Sequence, residues 1–429
     1  MLSIFILFYN IVRIPLLPLV AAAGFFNAKI RRTLWGRRRL FSNLRRELSS
    51  VPTHARRLWL HASSMGEFEQ SIPLIIELAD RFPNDWIIVS LFSPSVYDHL
   101  SWRHPRVIFT YLPLDGFYTS AKFIDLIKPA VHIIVRHDVW PNIQWRLRRR
   151  GIPSLLINGS ISDKRYASIR RYKFAHRLLM DSFTAVCVVS EPNRERFKLV
   201  SPHAEIYLCG DTRYDRVHQR SMETSRIQFL LDSGCFLRSA TCVAGSTWPS
   251  DEAVILEPLI ERIRIQPDFK LILAPHEIDK EHLQDLENRF TVAGISCKRL
   301  AELEQGRGDQ FRVLLIDRIG ILANLYALGA AAVVGGAFGP GVHSVLEPAA
   351  HGCVVCYGPR HRNSPEAKEM TAEGLGYPFE SAEEFKRLLT LFFENPQECR
   401  ERGERVKAFV HERLGAARRT ADVVEKYLH

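Results

Sequence analysis

From residue 57 onward, short apolar runs alternate with longer stretches in which apolar positions recur every three or four residues. The first pattern predicts buried strands and the second amphipathic helices. The strand-like runs are RLWLHA (57–62), WIIVSLF (86–92), VIFTYL (107–112), VHIIVR (131–136), PSLLING (153–159) and AVCVVS (185–190), with IYLCGD (206–211) closing the series. Helical stretches such as EFEQSIPLIIELADRF and FYTSAKFIDLIKP lie between them. A second series begins near residue 240, with SATCVAGS, FKLILAP, VLLID, AAAVVGG and CVVCYG as its strands. Alternation of this kind predicts parallel strands joined by crossover helices, here in two successive sheets.

Two Rossmann-like units in tandem, followed by a helical C-terminus, describe an α/β chain of the GT-B glycosyltransferase plan, whose working cleft is expected between the units. The pattern places an anchor and basic segment over 1–46, a first domain over 47–215, a linker over 216–238, a second domain over 239–395 and a C-terminal helix over 396–429.

The N-terminus breaks the pattern. Residues 1–26 are apolar except for a few positions such as Asn10 and Arg13, and KIRRTLWGRRRL follows at once. A signal peptide has the opposite order, with its charges first. The choice is between a single-pass anchor with Arg13 snorkelling and a helix lying in the interface, and hydropathy with the positive-inside rule favours the span. In either case the basic cluster from Lys29 to Arg46 is expected to face the cytoplasm and anionic lipid head groups.

Charge sharpens this. The chain carries 58 Lys plus Arg against 47 Asp plus Glu, but residues 1–60 hold 11 of the basic residues and one acid, leaving 47 against 46 in the body. A nearly neutral body argues against nucleic-acid binding. The eight cysteines stand mostly in apolar runs, which suggests reduced core thiols, and Cys353 with Cys356 has no second pair at zinc spacing.

Two loops carry candidate chemistry. In VVGGAFGPGVHSVLEPAAHG (333–352) a buried strand runs into a loop with Gly336, Gly339 and Gly341, after which His343 and Ser344 are expected to open a helix containing Glu347. Glycines beside a helix start suggest a cradle of backbone amides for phosphate, with Glu347 accepting ribose hydroxyls. The P-loop signature and a first-strand dinucleotide fingerprint are both absent, which weighs against an ATPase and a dehydrogenase. In HASSMGEFEQ (61–70) the strand ends where open α/β sheets place ligands, and Glu67 begins the next helix. The helix start favours its anion and a dry cleft would oppose it, a balance that suits a general base. Glu69, about 200° further round that helix, is expected to point away.

At these residues the chain resembles the 3-deoxy-D-manno-oct-2-ulosonic acid (Kdo) transferases, membrane-bound GT-B enzymes of lipopolysaccharide biosynthesis. The resemblance rests on HASSMGE (61–67), YLPLD (111–115), Trp140–Pro141–Asn142, LLINGSIS (155–162), GDTRYD (210–215), AGSTW with Asp251–Glu252, LLIDRIG (314–320) and VVGGAFGPGVHSVLEPAAHG. It implies a cell inner-membrane enzyme with its body on the cytoplasmic side. Glu67 would be the base for attack by the lipid A precursor (lipid IVA) on CMP-Kdo, with the acceptor on the first domain and the nucleotide on the second. It further implies that Glu347 binds ribose, that Ile319 and Gly320 line the CMP, that Ser344 stands where Asn is usual, and that no metal or cofactor takes part.

The chain also departs from the family. Pro275–His276–Glu277 lacks the usual phosphate-facing arginine, for which His276, Arg213 or Arg360 are the candidate substitutes. Arg136–His137–Asp138 leaves Asp138 as the one carboxylate where the family has two. A second reading is therefore a membrane-tethered, non-catalytic binding protein on a degenerate GT-B scaffold. A UDP-sugar enzyme would not explain the anchor and HASSMGE together.

Overall fold

The computed structural model describes residues 2–98, 100–136, 138–171, 176–177, 180–305 and 310–428. It divides into two compact units, Met1–Arg216 with Leu414–His429, and Val217–Arg413. Three helices open the first unit: α1 (Leu2–Phe26), α2 (Ala28–Gly36) and α3 (Leu40–Leu48). In α3, Leu40, Leu44 and Leu48 fall on one stripe and pack with Trp59, Ile108 and Phe123. Among the described residues no helix is long and apolar enough to cross a membrane.

The first sheet contains β1 (Arg57–Ala62), β2 (Trp86–Leu91), β3 (Val107–Tyr111), β4 (Val131–Val135), β5 (Ser154–Gly159), β6 (Ala185–Val188) and β7 (Glu205–Leu208) in the order β3-β2-β1-β4-β5-β6-β7. Every pair is parallel, with Trp59 opposite Ile88 on one side of β1 and His61 opposite Ile134 on the other. Apart from the edge strand β7, which is largely exposed, these strands are mostly buried on both faces, which is why they read as continuous apolar runs. Helix α4 (Met65–Arg81) buries Phe68, Ile72, Ile75 and Ala79, spaced at helical period, against the sheet.

The second sheet is also fully parallel: β8 (Thr241–Thr247), β9 (Lys270–Pro275), β10 (Cys297–Arg299), β11 (Val313–Leu315), β12 (Ala331–Val334), β13 (Val354–Tyr357) and β14 (Gly376–Pro378), ordered β10-β11-β9-β8-β12-β13-β14. The edge strands β10 and β14 have three residues each, too few to show a period, and the sequence pattern missed them. Residues 396–429 hold two helices, Pro396–His411 and Ala416–Glu425, the second capped by Gly415 at φ 87° and belonging to the first unit. All eight cysteines are free, and burial pushes the Cys353 thiol up to about 11, as expected of a core residue.

Candidate active site

In each sheet the strand order reverses near the centre, and ligands of open α/β sheets bind outside the carboxyl ends of the strands at that point. The reversal lies between β1 and β4 in the first unit and between β8 and β12 in the second.

After β1, Ser64 caps α4, its Oγ accepting from the Glu67 amide at 3.3 Å. The Glu67 Oε2 in turn accepts from the Ser63 amide at 2.7 Å and the Ser63 hydroxyl at 2.6 Å. The loop thus fixes the carboxylate that it introduces, and Glu67 is half-buried. After β4, Asp138 Oδ2 accepts from the Trp140 indole at 3.0 Å and lies 2.9 Å from His61 Nε2. The buried His61 ring has its Nδ1 3.0 Å from the Ser90 hydroxyl, which accepts from Trp59 Nε1 at 2.8 Å. His61 Nδ1 is also 2.9 Å from the Ser90 carbonyl oxygen, which can only accept, so the ring joins β1 to β2 and to the loop after β4. Asp138 is therefore a tied carboxylate; His137 lies outside the described residues. Glu69, two residues past Glu67, is paired with Arg216 at 2.7 Å. Arg213 is bound to Asp211, at 2.9 Å through Nε and 2.7 Å through Nη2, within this same unit.

In the second unit the end of β8 and the loop after β12 come so close that a Cβ on Gly335 would lie 2.2 Å from the Ser246 carbonyl oxygen, and Ser246 itself has φ 54°. Strained backbone of this kind concentrates at functional sites. Asp251, 2% exposed, holds the two loops together. Its Oδ2 accepts from the amides of Trp248 (2.9 Å) and Gly336 (2.7 Å), and its Oδ1 from Phe338 (3.1 Å). The sequence reading used Asp251 only as part of a motif; its signal was an acidic residue three positions past the helix start, which marks a cap but not the loop it also binds.

The Gly-rich loop corrects an expectation. Gly339 and Gly341 donate to the Gly336 carbonyl, Val342 to Arg360 and His343 to Gly335, so these amides, with those held by Asp251, turn inward and do not form an open phosphate cradle. Gly336, at φ 91°, is needed because a Cβ there would strike the Gly341 carbonyl at 2.3 Å. The following helix is only Leu346–Ala350, so His343 and Ser344 precede it and do not open it. What the loop offers outward is side chains.

His276, after β9, stacks on Trp248 at 4.6 Å and on His343 at 4.5 Å. Trp248 Nε1 donates to His343 Nε2 at 3.0 Å, which places the His343 proton on Nδ1. Burial lowers the His343 pKa, and the neighbouring His276 lowers it further. Arg360 lies along the loop, with Nη1 donating to the Gly339 carbonyl at 3.0 Å. Ser344 is exposed beside His343. Glu347 is paired with Arg220 at 3.1 Å, a partner the sequence did not indicate. Ile319 is 84% exposed, and Gly320 (φ 89°) accepts from Arg226 at 2.8 Å. Of the three candidate substitutes for the missing arginine, Arg360 and His276 share the switch point of this unit.

Beside Asp251, the buried Glu252 accepts from Thr247 Oγ1 at 2.8 Å and meets His282 Nε2 at 2.7 Å. Burial lowers the His282 pKa, but the hydrogen bond and charge of Glu252 outweigh it, and the net shift is upward from 6.5. A raised histidine adds stability that is complete below its unfolded value and fades as pH rises through its folded value. The pair should therefore stabilise the second unit most below pH ~6 and lose that contribution above ~6.5. Denaturant midpoints measured across this range on the native protein and on His282→Gln should converge at high pH; curves that stay parallel would remove the pair from the pH dependence.

The chain is similar in sequence and fold to known proteins. A family profile described as 3-deoxy-D-manno-octulosonic-acid transferase (Kdo transferase) matches residues 34–216. A 3-deoxy-D-manno-octulosonic acid transferase of Aquifex aeolicus is 28% identical over 368 residues, covering 83% of this chain and 92% of the relative. One from Rickettsia felis is 25% identical over 379 residues, covering 86% and 78%. Among solved structures, UDP-GlcNAc 2-epimerase from Neisseria meningitidis superposes with a TM-score of 0.60 at 12% identity, covering 87% of this chain and 99% of that one, a likeness of fold. With two parallel seven-stranded sheets of the GT-B plan and the HASSMGE loop at the first switch point, the chain is similar to the 3-deoxy-D-manno-octulosonic acid transferases.

Proposed function

We propose that this glycosyltransferase moves Kdo from CMP-Kdo to the lipid A precursor lipid IVA, with inversion at the anomeric carbon, in lipopolysaccharide biosynthesis. The observation that carries the reading is the Glu67 carboxylate, held at the switch point of the first unit by two donors from Ser63. Glu67 takes the proton of an acceptor hydroxyl as that oxygen bonds to the anomeric carbon. The bond from that carbon to the phosphate oxygen breaks, and its electron pair leaves with CMP. One displacement inverts the centre.

The donor occupies the second unit. Arg360 and His276 face its phosphate, Ser344, Ile319 and Gly320 line the nucleotide, and Glu347 takes the ribose hydroxyls. The phosphodiester is already anionic, so cationic side chains suffice and the reaction uses no metal or cofactor. The body sits at the cytoplasmic face of the inner membrane, where the exposed Lys29, Arg31, Arg32 and Arg38 meet anionic lipids at about 1 kcal/mol per charge.

Incubation with CMP-Kdo and lipid IVA, followed by product mass measurement, tests the reading: the acceptor should gain Kdo. The inward-turned loop amides favour a second reading, a tethered binding protein without catalysis. Donor binding without any mass gain would support it. For the nucleotide site, Glu347→Ala should weaken CMP binding by about 2–3 kcal/mol in titration calorimetry, the scale of hydrogen bonds to a charged group. Unchanged affinity would take Glu347 out of the site.

A further inference from the structure

The polar residues of α1 do not behave as those of a free anchor. Ile6, Asn10 and Arg13 stand at i, i+4 and i+7, and this stripe faces the body. Asn10 and Asn142 exchange two hydrogen bonds, at 2.7 and 3.1 Å. Asn142 is fully buried and donates to the Asp115 carbonyl (2.6 Å) and carboxylate (3.0 Å). The same carboxylate, also buried, lies beside Tyr9 of α1. Arg13 lies on Gly116, where an added Cβ would stand 3.3 Å from its Nη2. On the other side of α1, Leu7, Phe8, Ile11 and Ile14 are exposed.

A second clasp follows α2. Arg37 belongs to the basic cluster expected to face lipid, yet its Nε donates to the Leu112 carbonyl at 2.6 Å and its Nη2 to the Phe92 carbonyl at 2.7 Å. Its guanidinium also packs on Phe92 (4.7 Å) and Tyr111 (5.1 Å).

In a helix crossing about 30 Å of hydrocarbon, residues 9–13 would lie deep inside it, out of reach of the body's loops. We infer that α1 is clamped along the first unit as an interfacial helix and that the clamp fixes how this unit stands on the bilayer. Leu7, Phe8, Ile11 and Ile14 enter the acyl region, and Lys29, Arg31, Arg32 and Arg38 meet anionic head groups. The clasps grip the loops after β2, β3 and β4, at the same sheet edge as the Ser63–Glu67 loop after β1. The acceptor is thus an amphiphile whose sugar reaches Glu67 while its chains stay in the membrane. Tyr9, Asn10, Arg13, Arg37, Asp115 and Asn142 are positioning residues. This part rests on the proposed function; the clamp does not.

The test uses the full chain, with the partly exposed Cys235 and Cys297 changed to Ser, on vesicles of phosphatidylcholine and phosphatidylglycerol mixed about 3:1. Spin labels placed singly by Leu7→Cys, Phe8→Cys, Ile11→Cys, Ile14→Cys and Phe25→Cys should all report a shallow depth of about 5–10 Å. Depth that changes steadily by about 1.5 Å per residue from 7 to 25 would overturn the clamp in favour of a span. In a second arm, Asn10→Leu combined with Arg13→Leu should keep vesicle binding and transfer to detergent-dispersed acceptor, while transfer to vesicle-embedded acceptor falls ~10-fold or more. Equal loss in both assays, or none, would overturn the positioning role. If the proposed reaction itself were wrong, the native protein would transfer nothing in either assay while the depth profile stood.

Discussion

Glu67→Gln should slow transfer by ~10²–10⁴ while leaving donor and acceptor binding in place, because the amide keeps the shape of the carboxylate and cannot take a proton. Its oxygen can still accept from the Ser63 amide and hydroxyl, so the α4 cap survives and the variant reports chemistry. Glu69 is unsuitable as a control, since its ion pair with Arg216 ties α4 to the helix Thr212–Met222. Asp80, exposed on the same helix, serves instead, and Asp80→Asn should be silent. Single-turnover measurement separates the chemical step from binding. Near-normal turnover in Glu67→Gln would place the base elsewhere. Asp138 is then the residue to test by Asp138→Asn, although its bonds to His61 and Trp140 mark it as a group that holds the loop after β4.

Asp251→Ala should produce the largest loss of stability among the site residues. Three backbone amides from two loops lose one buried carboxylate, and net contributions of ~1.5–3 kcal/mol for a charge-assisted hydrogen bond, discounted for rescue by water, suggest about 3–5 kcal/mol in all. Asp251→Asn should cost less, because its oxygen can retain the Trp248 and Gly336 bonds while its NH₂ opposes the Phe338 amide. Denaturant unfolding of the native protein and both variants, with CMP titration of each, would measure this. Because Trp248 and the Gly336 loop carry the His276–His343 stack, both variants should also bind CMP more weakly in the same rank order. Full stability in Asp251→Ala would mean that the loops are held by their other contacts.

The periodicity of the chain was enough for the two parallel sheets. Strands buried on both faces must be continuously apolar and crossover helices must be amphipathic, and β1, β2, β4 and β5 carry that signal within six residues or fewer. The cap of α4 was legible for the same reason: Ser64 and Glu67 are three residues apart, and a helix start is a local event. The HASSMGE and Gly-rich loops were also visible, as short motifs between confident elements.

What the sequence could not decide depends on contacts between residues far apart in the chain. Asp251 meets Gly336 across 85 positions, and Asn10 meets Asn142 across 132. Neither pairing leaves a local trace, since each exists only after β8 has been laid beside β12, or α1 beside the loop after β4. The glycines of residues 336–341 suggested an open cradle because glycine permits close approach, but composition cannot say whether a ligand or the protein's own carbonyls do the approaching; here the carbonyls of Gly335, Gly336 and Arg360 do. Likewise Arg37 reads as one more charge in a basic cluster. Only packing places it beneath Phe92 and Tyr111 with its donors on three backbone carbonyls, two of them in the body, where burial brings its pKa down to about 10 and its energy goes into holding the N-terminal helices to the body.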